Sequence, residues 1–256
     1  MGNKFKKGRE VLFRNGIKPF VFLIYRYCKQ RVGYLIILAL KKRSIRNLKN
    51  FLPKDSADAF SFVNKKFFGV FAPMQIRNEF LSLLDIFIKE NSKIIMEIGT
   101  ANGGTLFCFS KLAPDDAIII SLDLPESKID GWHPMWKDSF YQAFAKTGQD
   151  LLLLREDSHA PETLEKVREV LGEKEIDFLF IDGDHSYEGV KKDFEMYGAL
   201  VRKGGMIAFH DIVPFDEPSI DGGVSRFWKE IAGNYKNQSI VKDADQSGRG
   251  IGILFI

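Results

Sequence analysis

The chain has 256 residues, enough to bury a full core, and is 45% hydrophobic and 28% charged, which excludes a disordered or fibrous chain. Its two cysteines, Cys28 and Cys108, exclude a disulfide framework and a CxxC metal site, and suit a reducing cytosol. The net charge of +3 hides an imbalance: residues 1–50 hold 14 Lys/Arg against the single acid Glu10, so they carry +13 and the other 206 residues carry −10.

The basic segment comes first. Its apolar runs, Pro19–Tyr25 and Val32–Leu40, are interrupted by Arg26, Lys29 and Arg31. Neither reaches the roughly 20 residues of a membrane span, and no signal-peptide cleavage site follows. Two readings stay open. One is a basic, apolar helix making peripheral membrane contact through residues 1–50. The other is a helical cap packed on the rest of the protein with its lysines in solvent. No nucleic-acid motif accompanies the charge, so no nucleic acid is expected. The stretch 60–72, FSFVNKKFFGVFA, is expected to cover a site or a sheet edge. A division is therefore expected between an N-terminal extension, 1–74, and a main domain, 75–256.

From residue 75 the pattern is regular. QIRNEFLSLLDIFIKEN has helical spacing, KIIMEIG reads as a buried strand, and a helix follows from about Asn102 to Leu112. AIIISLDL is the second strand. The polar and aromatic PESKIDGWHPMWKDS leads into the helical FYQAFAKTG. DLLLLRED is the third strand, followed by a helix near Pro161. IDFLFID is the fourth, SYEGVKKDFEMYGALV its helix, and GGMIAFHD the fifth. GVSRFWKEI and IGILFI add a helix and at least one edge strand. Continuous apolar strands alternating with amphipathic helices predict an α/β fold: a Rossmann-like doubly wound sheet, mostly parallel with an antiparallel edge strand, plus the N-terminal helical extension.

Ligands of such sheets sit outside the carboxyl ends of the strands. Here those ends carry Glu97, Asp123, Asp157, Asp182 and the pair His210–Asp211. In the first loop, MEIGTANGGT, the residues Gly99, Gly103 and Gly104 let backbone approach a ligand at a helix start. A G-x-G-x-x-G dinucleotide fingerprint would need glycine at position 101, which is alanine.

An acid before a glycine, with glycines four and five residues further on, resembles motif I of class I S-adenosylmethionine-dependent methyltransferases. The segments EIGTANGGT, DFLFIDGDHSYEGVKKDFEMY, VRKGGMIAFHDI and GVSRFWKEI resemble, in that order, a family of small-molecule O-methyltransferases. That family includes the macrolide-sugar O-methyltransferases and the so-called cephalosporin hydroxylase proteins. The resemblance runs from about Glu79 to Ile256 and leaves the first 70 residues uncovered. It implies S-adenosylmethionine as cofactor, held by Glu97, Gly99, Gly103, Gly104, Asp123, Asp157 and Ser158, with Asp123 on the ribose and Asp157–Ser158 at the adenine. It further implies a divalent cation, Mg²⁺ by the family's habit, on Asp182, His210 and Asp211, with His185 as the catalytic base. His210 departs from the family, where an acid is usual, and imidazole suits transition metals better. The implied acceptor is a small hydroxylated molecule, a sugar or glycan among the options.

Other residues carry weaker expectations. Asp184 is expected to cap the helix that follows it. An EF-hand reading of DGDHS fails because Tyr187 stands where glycine is required. Trp132, His133 and Trp136 either form a substrate lid or pack on Phe140 and Tyr141. Two alternatives to the methyltransferase remain: a nicotinamide oxidoreductase on a similar sheet, and a non-catalytic cofactor-binding scaffold recruited by the basic tail. A cytoplasmic location, peripheral to the membrane on one reading of the tail, is expected.

Overall fold

The computed structural model describes Tyr25, Cys28, Lys29 and residues 32–125, 135–216 and 222–256. Trp132, His133 and the apolar run before Tyr25 lie outside the described residues. A helical stretch over 32–39 turns at Leu40 into α1 (Lys41–Asn50), and α2 (Ser56–Lys66) begins where the Asp55 side chain accepts the Asp58 N–H. Then follow α3 (Arg77–Glu90), β1 (Ile94–Ile98), α4 (Gly104–Leu112) and β2 (Ile118–Asp123). The short α5 (Asp138–Tyr141) lies between two single 3₁₀ turns and precedes β3 (Asp150–Arg155) and α6 (Pro161–Leu171). The chain continues through β4 (Ile176–Ile181), α7 (Tyr187–Gly198), β5 (Val201–His210), α8 (Gly223–Ile231), β6 (Lys236–Ile240) and β7 (Ile251–Phe255).

One seven-stranded sheet runs in the order β3-β2-β1-β4-β5-β7-β6. β1 to β5 are mutually parallel, and β7 is antiparallel to both of its neighbours. The fold is the expected Rossmann-like sheet, mostly parallel with an antiparallel edge strand. That edge is β6, whose sequence KNQSI is almost wholly exposed and has no apolar period to betray it, and IGILF of β7 lies one strand inside. The helix expected over FYQAFAKTG is reduced to α5 and its 3₁₀ turns.

Side chains alternate between the faces, as the period of two requires. Ile95, Ile119, Phe178 and Ala208 join one buried cluster, and Met96, Ile120, Leu179 and Ile207 join the other. The N-terminal helices belong to the first cluster, since Ile37, Leu48, Phe60 and Phe71 share it with Phe107 and Phe178. Residues 32–72 and the sheet therefore have a common core, built largely from stacked and edge-on phenylalanines such as Phe51–Phe62 and Phe107–Phe144.

The chain leaves β1 toward β2 and β3, then returns to β4 on the other side of β1. This reversal opens a crevice at the carboxyl ends of β1 and β4. Their register pairs Ile98 with Ile181, and β4 pairs Ile181 with Phe209 of β5. The loops after β1, β4 and β5, each carrying predicted site residues, therefore emerge side by side.

Candidate active site

A cavity of about 620 Å³ lies in that crevice, a size suited to a nucleoside-sized ligand. Its walls include Gly99, Gly104, Asp123, Asp157, Ser158 and Asp182. Three of the chain's four histidines, His159, His185 and His210, line it as well, and the fourth lies outside the described residues.

The glycine loop is shaped by contacts at each of its glycines. Gly99 has φ +90°, and a Cβ there would strike the carbonyl oxygen of Asp182. Gly103 has φ +79° and lies against the Tyr141 ring, whose hydroxyl donates to Ala101 O at 2.9 Å. Asp123 closes the loop from β2: its Oδ2 accepts the N–H groups of Thr100 at 3.1 Å and Ala101 at 2.9 Å, and its Oδ1 accepts that of Leu124 at 2.8 Å.

Glu97 and Gly103, both expected at the cofactor, are not among the wall residues. The Glu97 carboxyl on β1 is fully buried, and among the described residues neither oxygen has a hydrogen-bond partner in good geometry. Burial pushes its pKa up to about 8; the Thr105 hydroxyl acts against this, and the Asp182 and Asp123 carboxylates add to it. At neutral pH this carboxyl is mostly protonated.

At the other end of the cavity the predicted cluster converges. Asp182 Oδ2 accepts from Gln75 Nε2 at 2.7 Å, while Oδ1 lies 3.1 Å from His210 Nδ1 and 3.7 Å from His185 Nε2. His185 Nδ1 lies 2.8 Å from Asp211 Oδ2. Asp182, His185 and Asp211 each offer one ligand atom, and these lie within 4.8 Å of one another. His210 does not complete that group, although it was expected as a ligand alongside the two acids. It is buried at the cavity wall, with Nδ1 3.3 Å from Asp211 Oδ1 and, among the described residues, no hydrogen-bond partner for Nε2.

The electrostatics follow from the geometry. The hydrogen bond to Asp211 outweighs burial and, with the charge of Asp182, pushes the His185 pKa up to about 9. Burial opposes charge on His210, but Asp182 and Asp211 outweigh it and raise its pKa. Asp211 is likewise buried, yet the bond from His185 and the two imidazoles hold it below its ordinary value. Its backbone is left-handed, φ +65°, as are those of Ala101, φ +44°, and Arg249, φ +66°. Ala101 and Arg249 line this cavity and Asp211 directly follows the lining residue His210, and such strain concentrates where a site over-determines the backbone.

Several participants were not anticipated. Gln75 comes from the segment before α3. Arg249, 3.9 Å from Asp211 Oδ1, is held in place because buried Glu79 accepts the N–H groups of Gly250 and Lys242. His159 Nε2 lies 3.2 Å from Oδ1 of Asp193, a fully buried carboxylate on α7. His159 directly follows Asp157–Ser158, which was the only available hint. Asp184 is not the helix cap: Ser186 Oγ accepts the Gly189 N–H, and Asp184 Oδ1 accepts the N–H of Ser186. Trp136 packs edge-on against Phe140 and close to Tyr34, away from the cavity wall.

Comparison with known proteins agrees with this geometry. A family model described as a methyltransferase domain matches residues 96–212, from β1 to the turn after β5. The chain is 29% identical over 146 residues to a Dictyostelium discoideum protein named "Probable caffeoyl-CoA O-methyltransferase 3", covering 57% of this chain and 53% of that one. It is 44% identical over 62 residues to protein R132 of Acanthamoeba polyphaga mimivirus, covering 23% and 28%. The chain thus spans about a quarter to a half of the length of these relatives. Among solved structures, the O-methyltransferase from Bacillus cereus in complex with SAH has the same fold, with TM-score 0.56 and 18% identity over 82% of this chain and 96% of that one. Residues 96–212 thus resemble a methyltransferase domain, and the sheet that carries them is Rossmann-like.

Proposed function

We propose that the protein is an S-adenosylmethionine-dependent O-methyltransferase acting on a hydroxyl of a small hydroxylated molecule, with a divalent cation at the Asp182 cluster. The observation that carries this reading is that Asp182 and His185 line the same cavity as the glycine loop and Asp123, with a ligand atom of buried Asp211 within 4.8 Å of theirs. S-adenosylmethionine supplies an electrophilic methyl group. Asp123 and the Gly99 turn are suited to its ribose and methionine portions, and Asp157–Ser158 to its adenine.

The donor set fits a divalent cation. Two carboxylates so close repel unless a cation or proton lies between them, and among the described residues buried Asp211 Oδ1 has no hydrogen-bond partner. Asp182 and Asp211 would hold the ion, with His185 beside it left free to act as the base. Carboxylate ligands suit Mg²⁺ or Mn²⁺. Bound there, such an ion lowers the pKa of a chelated hydroxyl and orients it. His185, half-exposed at the mouth, is the chain's candidate to take the hydroxyl proton. Gln75 and His210 keep the Asp182 carboxylate aimed, and Arg249 balances Asp211. The resemblance in FIDGDHSYEGV and GGMIAFHDI supports a sugar acceptor.

A mass-spectrometric screen of sugar nucleotides, glycans and phenolic acceptors tests the reading by looking for the gain of one methyl group. Transfer should need S-adenosylmethionine and should be lost with a chelator. His185→Ala should lower it by roughly 10²–10⁴. Chelator-insensitive transfer would remove the cation from the account.

A further inference from the structure

We infer that residues 32–52 are a docking surface for an anionic lipid bilayer. This stands independently of the methyl-transfer reading. The helical stretch 32–39 has two unlike sides. Toward the protein it presents Ile37, which is buried, and Gly33, where a Cβ would strike the Phe68 side chain. Toward solvent it presents Val32, Leu35, Ile36, Ala39 and then Leu40, every one apolar. Leu35 is 63% exposed and Leu52, beyond α1, is 71% exposed. A water-facing helix side made only of apolar residues is the reverse of the usual pattern.

The next element supplies the opposite chemistry. α1 buries Ser44 and Leu48 and turns Lys41, Lys42, Arg43, Arg46 and Lys49 to solvent. No acid occurs between Glu10 and Asp55. Among the described residues, none of these five cations takes part in an ion pair. An apolar strip continuous with a row of unneutralised cations suits a helix lying in a membrane interface, with leucines among the acyl chains and cations at the phosphates. No helix among the described residues is long and apolar enough to cross a membrane, so the segment would lie on the surface. A second copy is a poorer occupant, because it would bring two segments of like charge together.

The other side of this segment reaches toward the cavity. Tyr34 packs on Trp136, Trp136 on Phe140, and neighbouring Tyr141 bonds to the glycine loop at Ala101. Docking would therefore hold the reaction site close to the membrane surface.

Co-sedimentation of the full chain tests this, using vesicles of phosphatidylcholine alone and with roughly 30 mol% phosphatidylserine. Binding should appear only with the anionic vesicles and fall steeply with salt. The triple variant Lys42→Gln, Arg43→Gln, Arg46→Gln should bind roughly 100-fold more weakly, each cation contributing about fivefold. The pair Leu35→Ser, Leu40→Ser should also bind more weakly. Both variants should melt like the wild type, since the changed side chains face solvent. The inference is overturned by three results: no binding to anionic vesicles at low salt, undiminished binding by the triple variant, or a dimer that the leucine variant dissociates while vesicles are ignored.

Discussion

Asp182 accepts from Gln75 with one oxygen and faces two imidazoles with the other, so its carboxyl group is held in position from three directions. Asp182→Asn nearly preserves the shape, and the protein should stay folded while Mn²⁺ affinity falls by at least 100-fold. Removing a mere outer-shell partner of a metal site costs roughly 10–100-fold, so a ligand should cost no less. Calorimetric Mn²⁺ titration checks this, and equal affinity in the two proteins would exclude the cluster. Glu97 behaves differently, because its native pKa of about 8 stands above the ordinary 4.5. The folded state then keeps a proton that the unfolded chain releases. Stability contributed at low pH declines by about 1.4 kcal/mol per unit as pH rises through that window, and levels off above it. Glu97→Gln should abolish this share of the slope. Urea unfolding at pH 5 and pH 8 should show the variant gaining on the wild type, and a constant difference would mean Glu97 is ionised throughout. The acids and imidazoles at strand ends were legible in the sequence because a strand's end places its last side chain without further information. Gln75, His159 and Arg249 were not, since each reaches the cavity through tertiary contacts, such as Glu79 with Gly250, that leave no local pattern.

The same contrast holds for whole elements. The five parallel strands announced themselves as unbroken apolar runs, because both faces are covered. Strand β6 is exposed, and its existence depends on pairing with β7, so nothing in KNQSI marks it. The inner position of β7 is a matter of pairing partners, which a run such as IGILF does not specify. The turn after β1 shows how tightly neighbouring elements are fitted. Gly99 combines φ +90° with backbone of Asp182 and Gly183 where its Cβ would lie. Gly99→Ala must therefore force the β1 and β4 ends apart. It should cost at least about 2 kcal/mol in urea unfolding and loosen the cation cluster along with the glycine loop, through strain and overpacking together. Unchanged stability would mean that the two ends do not meet as described.

At the scale of the molecule, the charge separation seen in the sequence becomes a spatial one: cations gather on the outer side of the N-terminal helices, and carboxylates gather at the strand ends around the cavity. The N-terminal helices are part of the domain's core, and the backbone reversal between β1 and β4 supplies the crevice that every proposed site residue faces or supports. The central claim is that this crevice holds S-adenosylmethionine. Calorimetric titration of S-adenosylhomocysteine, beside NAD, tests it most directly. The wild type should bind S-adenosylhomocysteine and ignore NAD, and Asp123→Ala should weaken binding by about 2 kcal/mol, roughly 30-fold, through loss of charge-assisted contacts. Absence of S-adenosylhomocysteine binding, or equal affinity in a folded Asp123→Ala protein, would contradict the account.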